Sequence, residues 1–304
     1  IFEGAKTTSD AQSAAAFIYA ADNGACIAQC SYGNANIITN DDLYINGGEI
    51  DVDGTSVKVN PSPLEHAALQ YFLDPSNSNH QSLEGNLAIF AAGNHKNPYS
   101  IYPGALSFCI SVTAIRQDFL PGSYTNYGPG CNIVAPGGEA YLPPWTSFKA
   151  MIISTVPKKE AESGYGYMQG TSMACPHVSG IAALGIAYAK KLGKKFTREE
   201  FNTMLVSSAN DFDSRLNGTK EYYKMDGSPG SISLGKFMKQ MGTGSVDAWI
   251  FMMKIEGVPC LTAEMGKKGW VDVSEYFGTS SKNLTYLSVE VSEVVETSYY
   301  GVYN

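Results

Sequence analysis

The chain reads as an α/β fold: a mostly parallel sheet with helices on both faces, followed by a β-rich C-terminal tail. Three observations predict it. Leu87-Ala88-Ile89-Phe90-Ala91-Ala92 is a continuous apolar run of strand length that stops at Gly93-Asn94, the pattern of a parallel strand buried on both faces. Gly170-Thr171-Ser172 opens a segment whose Val178, Ile181, Ala182, Leu184, Gly185 and Ile186 read as a helix buried on most sides. Near the start, Thr7-Thr8-Ser9-Asp10 signals a helix, Ala11 to Ala21 forms it, and Asn23-Gly24 closes it ahead of the strand-like Ala25 to Gly33.

The remaining elements follow in order. Residues 34 to 84 are rich in Asn, Asp, Gly and Ser, with an amphipathic helical patch at 63 to 73. After the Leu87 run come Tyr102-Pro103-Gly104 and a strand from Ser107 to Ala114, then Asn132 to Gly137. Residues 138 to 168 form a second insertion containing Pro143-Pro144-Trp145 and Lys158-Lys159-Glu160. Both insertions leave strand ends, where loops carry specificity. Past Ile255 the pattern changes to alternating runs divided by turns, among them Gly269 to Val273 and Leu284 to Val289. We therefore divide the chain into residues 1–255 and a tail, 256–304, that is either the opening of an immunoglobulin-like sandwich or a β-rich cap.

Composition narrows the function classes. At 304 residues, 44% hydrophobic and 16% charged, the chain is globular rather than disordered. A net charge of -8 argues against nucleic acid or an anionic membrane as partner. No run of 18 apolar residues is present in the sequence, so no membrane span is expected. The six cysteines lack zinc-type spacing. Cys26 and Cys30 would lie about 13 Å apart on an extended strand, too far to bridge. Free buried thiols are expected.

The segment Gly170-Thr171-Ser172-Met173-Ala174-Cys175-Pro176-His177-Val178-Ser179-Gly180 resembles the nucleophile motif of the subtilisin-like serine peptidases, the subtilases. A serine in the first turn of a buried helix sits beside free N–H groups at the positive end of the helix dipole, a good place to generate an oxyanion. Other pieces resemble the same family in the same order. They are Ala25 to Gly33, Ala91-Ala92-Gly93-Asn94, Tyr102-Pro103-Gly104, Asn132 to Gly137, and Gly242-Thr243-Gly244-Ser245-Val246-Asp247-Ala248. The resemblance implies a subtilisin-like domain over 1–255 that hydrolyses peptide bonds through an acyl-enzyme on Ser172. It implies Asn94 as oxyanion donor, and Ser31, Tyr32, Gly33, Ala92 and Gly93 as residues that hold extended substrate, by strand addition. Ile101, where a small residue often deepens the pocket, hints at a preference for small side chains. Many relatives bind calcium in loops, for which Asp41, Asp42, Asp51 and Asp53 are available. No EF-hand spacing is present, and no metal or other cofactor is assigned. Secretion or a cell-envelope location is implied by the family alone.

One departure governs the functional reading. A subtilase triad runs Asp, His, Ser along the chain, yet none of His66, His80, His95 and His177 precedes Ser31. His66 reads as a helix-face residue, His80 as part of a polar loop, His95 as a neighbour of the pocket and His177 as a packing residue. A serine without an adjacent base is a poor nucleophile. Either an upstream fragment of the same precursor supplies His and Asp, or the chain is a catalytically inactive peptide-binding pseudoprotease. A purely structural module is a third reading. Ile1-Phe2-Glu3-Gly4 resembles the end of a central strand, and a sheet begun there would expose an unpaired edge. The fragment reading is therefore preferred.

Overall fold

The computed structural model describes residues 10–34, 38–52, 54–140, 150–223 and 228–258. Residues Ile1–Val258 form one compact unit. The expected tail strands, Cys260, Asp53, Pro143-Pro144-Trp145 and Ile1 to Gly4 lie outside the described residues.

Helix α1 (Asp10–Asp22) leads into strand β1 (Ile27–Cys30). The Asn- and Asp-rich insertion then folds as α2 (Asp41–Asn46), a hairpin of β2 (Gly48–Val52) and β3 (Thr55–Val59), and α3 (Pro63–Leu73). The short β4 (Leu83–Glu84) precedes β5 (Leu87–Ala91), β6 (Ile110–Ile115) and β7 (Ile133–Pro136). The second insertion provides a hairpin, β8 (Ile152–Thr155) with β9 (Tyr165–Met168), that delivers the chain to the long α4 (Thr171–Lys191). Next come β10 (Phe196–Thr197), α5 (Arg198–Val206) and β11 (Ala209–Asn210). The hairpin β12 (Thr219–Tyr223) and β13 (Pro229–Ser233), then β14 (Ser245–Val246) and α6 (Ala248–Glu256), complete the unit.

Six strands build the central sheet in the order β1-β5-β6-β7-β14-β11. All neighbours are parallel except β11 against β14. The two-residue period of β5 divides its side chains between two cores. Leu87, Ile89 and Ala91 meet Ala174, Val178 and Ala182 of α4. Ala88 and Phe90 meet Phe17 of α1 and Leu69 and Phe72 of α3. Helices thus cover both faces, which is why the strand reads as an unbroken apolar run. α4 is long and apolar enough to cross a bilayer by composition, yet this packing makes it the sheet's core helix.

Both ends of α1 are tied to α3. Asp10 accepts from the N–H groups of Leu64 (3.2 Å) and Glu65 (2.9 Å), capping a helix other than its own, while Asp22 accepts from the Tyr71 hydroxyl at 2.8 Å. Glu139 is fully buried. It accepts from the Ser123 N–H at 3.1 Å and from Lys220 Nζ at 2.5 Å, with Arg116 Nη1 3.5 Å away. Lys220 also donates to Pro121 O, so this group of charges pins β12 to the turn after β6. Removing one member of a buried pair strands the other in a low-dielectric site. Glu139→Ala is expected to cost about 3–5 kcal/mol of stability, read as a lower urea midpoint at unchanged slope. A loss below about 1 kcal/mol would show that solvent reaches Lys220 readily.

Candidate active site

The site forms where the carboxyl ends of β1 and β5 meet the first turn of α4. Gly170 caps α4 with φ 138°, a conformation that costs glycine little and other residues a great deal. Pro176 stands inside the helix. Lacking an N–H, it leaves the carbonyl four residues earlier, that of Ser172, without its helical donor. Ser31 fills the vacancy: its Oγ donates to Ser172 O at 2.7 Å, and Ser172 Oγ donates back to Ser31 O at 3.3 Å. The end of β1 is thereby fastened to the start of the helix, and Ser172 is held half-buried at its mouth. The Ser172 N–H has no acceptor among the described residues, as expected of an N–H in a helix's first turn.

Asn94, in the turn after β5, lines the same cleft as Ser172. Its Oδ1 accepts from the Thr171 N–H at 2.8 Å and the Thr171 hydroxyl at 3.0 Å. A backbone N–H can only donate, so the amide orientation is determined by chemistry. Nδ2 is left as the free donor of the side chain. Thr171 Oγ1 in turn accepts from the Gly93 N–H at 3.1 Å, which locks the Gly93-Asn94 turn onto α4.

Two further residues hold the same turns, and sequence reasoning missed both. Asn126, fully buried, donates to Ala92 O at 3.0 Å and accepts from the N–H groups of His95 and Asn97 at 2.9 and 3.1 Å. Its own N–H donates to Gly93 O at 3.0 Å. The Tyr124 hydroxyl accepts from the Gly170 N–H at 3.1 Å and donates to Gly138 O at 2.5 Å; burial, with the Glu139 charge next, pushes it well above the usual phenol range, so it remains a donor. Both lie in Gly122-Ser123-Tyr124-Thr125-Asn126-Tyr127-Gly128, whose turn-like composition conceals them.

A cleft of about 260 Å³ opens in front of Ser172, lined among others by Ser31, Tyr32, Gly33, Gly93, Asn94 and His95. The ring of Tyr32 turns inward against Phe90 (5.7 Å between centroids) and its hydroxyl donates to Glu65 Oε1 at 2.9 Å. Its backbone is what remains for the cleft. Ala92 is fully buried, and its carbonyl already accepts from Ile101 N–H and from Asn126. Ala91 lines the cleft at that level.

None of the four histidines hydrogen-bonds to Ser172. His177 places Nδ1 2.7 Å from Met173 O; a carbonyl only accepts, so that nitrogen carries the proton and the ring is tied back on its own helix. His66 packs against the rings of Tyr44 and Phe108. His80 Nε2 is buried without a partner. His95 borders the cleft, exposed, with its backbone held by Asn126. Asp41 accepts from the Tyr102 hydroxyl at 2.6 Å and Asp51 from the Gly54 N–H at 2.8 Å. No group of three or more His, Cys, Asp or Glu converges among the described residues.

Residues 2–229 match the family profile described as the subtilase family, Peptidase_S8. The chain belongs to the subtilase family. Among curated subtilases it is similar to the extracellular basic protease of Dichelobacter nodosus, 31% identical over 188 residues. That match takes in 59% of this chain and 29% of the relative. Thermitase of Thermoactinomyces vulgaris is 35% identical over 101 residues, 33% of this chain and 30% of that protein. The chain thus matches less than a third of either relative's length. Among solved subtilase folds, a lanthipeptide protease aligns with 83% of this chain and 68% of its own at TM-score 0.54 and 20% identity. The prenylagaramide maturation protease PagA aligns with 84% and 71% at TM-score 0.53 and 20% identity. These likenesses agree with the parallel sheet and two-sided helical cover described above.

Proposed function

We propose that the chain is the nucleophile-bearing part of a subtilase serine endopeptidase, and that polypeptide of the same precursor, outside this chain, brings the histidine and aspartate. The observation that carries this reading is the pairing of Ser172 and Asn94. Among the described residues the Ser172 N–H and Asn94 Nδ2 have no acceptor, and Asn94 and Ser172 line the same cleft, the setting an oxyanion requires. In the reaction Ser172 Oγ attacks the peptide carbonyl carbon and its proton passes to the incoming imidazole. The carbonyl oxygen, now negative, rests between the two donors. The C–N bond then breaks, the imidazole returns the proton to the departing amine, and water hydrolyses the ester.

Two surface features support an added partner. No strand pairs with the second edge of β1 among the described residues, and an open parallel edge is a pairing template. The side of α4 facing away from the sheet carries Gly180, Ala183, Leu184 and Ala187 in solvent, Leu184 at 54% exposure. The end of β1 reaches the Ser172 turn through the Ser31–Ser172 hydrogen bonds, while the exposed apolar positions lie further along α4. The relative from Dichelobacter nodosus, named as an extracellular protease, supports export as the setting.

Asn94→Ala tests the oxyanion assignment. In the complemented protein it is expected to lower kcat by about 10²–10³ with little change in KM, the loss known from the equivalent donor of subtilisin itself. A pure KM effect would make Asn94 a binding residue. A second reading, the inactive peptide-binding pseudoprotease, is favoured by the Ser172 hydroxyl donating to a carbonyl rather than to a base. Labelling with a fluorophosphonate in a sample shown by intact mass to contain the companion separates the two. Modified Ser172 supports the enzyme and inert Ser172 the binder.

A further inference from the structure

We infer that Ile101 fills the floor of the acyl-side pocket and restricts it to side chains no larger than alanine or serine. The inference rests on Ser172 being the acylated nucleophile. The cleft before Ser172 has one wall at Ser31 and Gly33 and the other at Ala91 and Gly93, with Ile101 between them. Both walls have a glycine where the opposite side chain arrives. A Cβ on Gly33 would meet Ile101 Cδ1 at 2.3 Å and Cγ1 at 2.6 Å, and one on Gly93 would meet Ile101 Cγ2 at 3.0 Å. The two methyl-bearing arms of Ile101 therefore reach both walls and close the space a long substrate side chain would enter.

This shelf cannot easily swing aside. Ile101 is only 8% exposed, and its backbone is held at both groups: its N–H donates to Ala92 O at 3.0 Å and its carbonyl accepts from the Ala105 N–H at 3.0 Å. A β-branched side chain is also stiff at χ1, so rearrangement would force an off-rotamer state or a backbone shift. Charge does not compensate. Among the described residues, the cleft lining carries no Asp, Glu, Lys or Arg, and His95 is its one titratable side chain apart from the inward-turned Tyr32. A lysine, arginine, aspartate or glutamate on the substrate would find neither depth nor a counter-charge. What remains is a shallow apolar seat suited to alanine, with serine and glycine tolerated.

The test compares N-acylated Ala-Ala-Pro-Xaa p-nitroanilides, with Xaa as Ala, Phe or Lys, on the chain with its complementing polypeptide. We expect kcat/KM for Ala to exceed that for Phe and Lys by roughly 10²-fold or more, the discrimination of a pocket that must overpack to accept the wrong group. Ile101→Ala and Ile101→Gly should raise the Phe-to-Ala ratio of kcat/KM at least about tenfold. Equal turnover of Ala and Phe by the unsubstituted protein would overturn the inference, as would an unchanged ratio in a folded Ile101→Ala variant. A small dialkyl fluorophosphonate needs no side-chain pocket. If it labels Ser172 while Phe is accepted, the nucleophile assignment stands and the pocket inference alone fails. If it does not label Ser172, the hydrolase reading falls and this inference falls with it.

Discussion

Ser172→Ala is expected to remove hydrolysis almost entirely, with a fall in kcat of about 10⁶, the loss seen when the nucleophile of subtilisin itself is removed. The neighbouring hydroxyls cannot substitute. Thr171 Oγ1 is occupied between Gly93 N–H and Asn94 Oδ1, and Ser31 Oγ is spent on the Ser172 carbonyl. Cys175, one turn along, is fully buried under the sheet, and desolvation pushes its thiol up to about 11, so it offers no thiolate at neutral pH. The same substitution should leave stability within about 1 kcal/mol, because the lost bond is a 3.3 Å contact at a partly exposed site. On the proposal that a companion polypeptide brings the histidine, the chain alone should resemble Ser172→Ala in activity, since its hydroxyl faces a carbonyl and no imidazole. Adding the companion should restore labelling to the first and not to the second. Labelling of Ser172→Ala by fluorophosphonate would place the nucleophile elsewhere and sink the proposal.

What the sequence revealed here depended on range. β5 and the opening of α4 were legible because burial on both faces writes itself into consecutive residues, and α3 because its amphipathic pattern is local. The order of the landmarks from Ala25 to Ala248 foretold the parallel sheet. The hairpin β8–β9 was read only as an insertion: its exposed Ile153, Tyr165, Tyr167 and Met168 give no alternation between a buried and a solvated face. Asp10 belonged to a helix-start signal in the sequence, yet its side chain caps α3, more than fifty residues away, and no local rule could show that. Asn126 and Tyr124 were missed for the same reason. A Ser/Thr/Asn/Gly segment signals a turn, while the partners that make these side chains position the site come from β5, the Gly170 turn and Gly138. Ser172 and Asn94 could be picked out individually. That Thr171 orients the Asn94 amide, and that Pro176 frees the carbonyl Ser31 needs, required the tertiary structure.

The second large effect is alkaline, and it arises from the thiols beneath the site. Cys30, Cys109 and Cys175 are free and buried, and desolvation raises all three above the ordinary thiol value of 9.0. In the folded state they keep their protons where the unfolded chain has lost them. Their contribution to stability is therefore complete below pH 9 and declines as pH rises toward the folded values, about 11 for Cys175, higher for Cys109 and well above 9.0 for Cys30. Each costs roughly 1 kcal/mol per pH unit in that window. Above pH 10 the buried phenols of Tyr32, Tyr44 and Tyr124, raised mainly by desolvation, add the same sign. Lys220 opposes them. Burial lowers its ammonium below 10.5 despite Glu139, so the unfolded chain holds that proton longer and stability rises with pH between the two values. The more exposed Lys236 is lowered too, but Cys26 and Cys131 are also raised, so the thiols outnumber the lysines and stability falls with pH; a domain of about 10 kcal/mol stability should unfold within a few units above pH 9. Urea midpoints taken from pH 8 to 11 should fall steadily, with the thiols becoming reactive to a disulfide reagent only as the midpoint collapses. Because Cys175 Sγ lies 3.3 Å from Ile89 O and 3.8 Å from Cys30 O, ionising it repels the carbonyls that seat α4 on β1 and β5, and labelling of Ser172 should vanish along the same curve. A midpoint that stays level to pH 11 would mean the thiols ionise inside the fold without cost, and that water reaches the floor of the site.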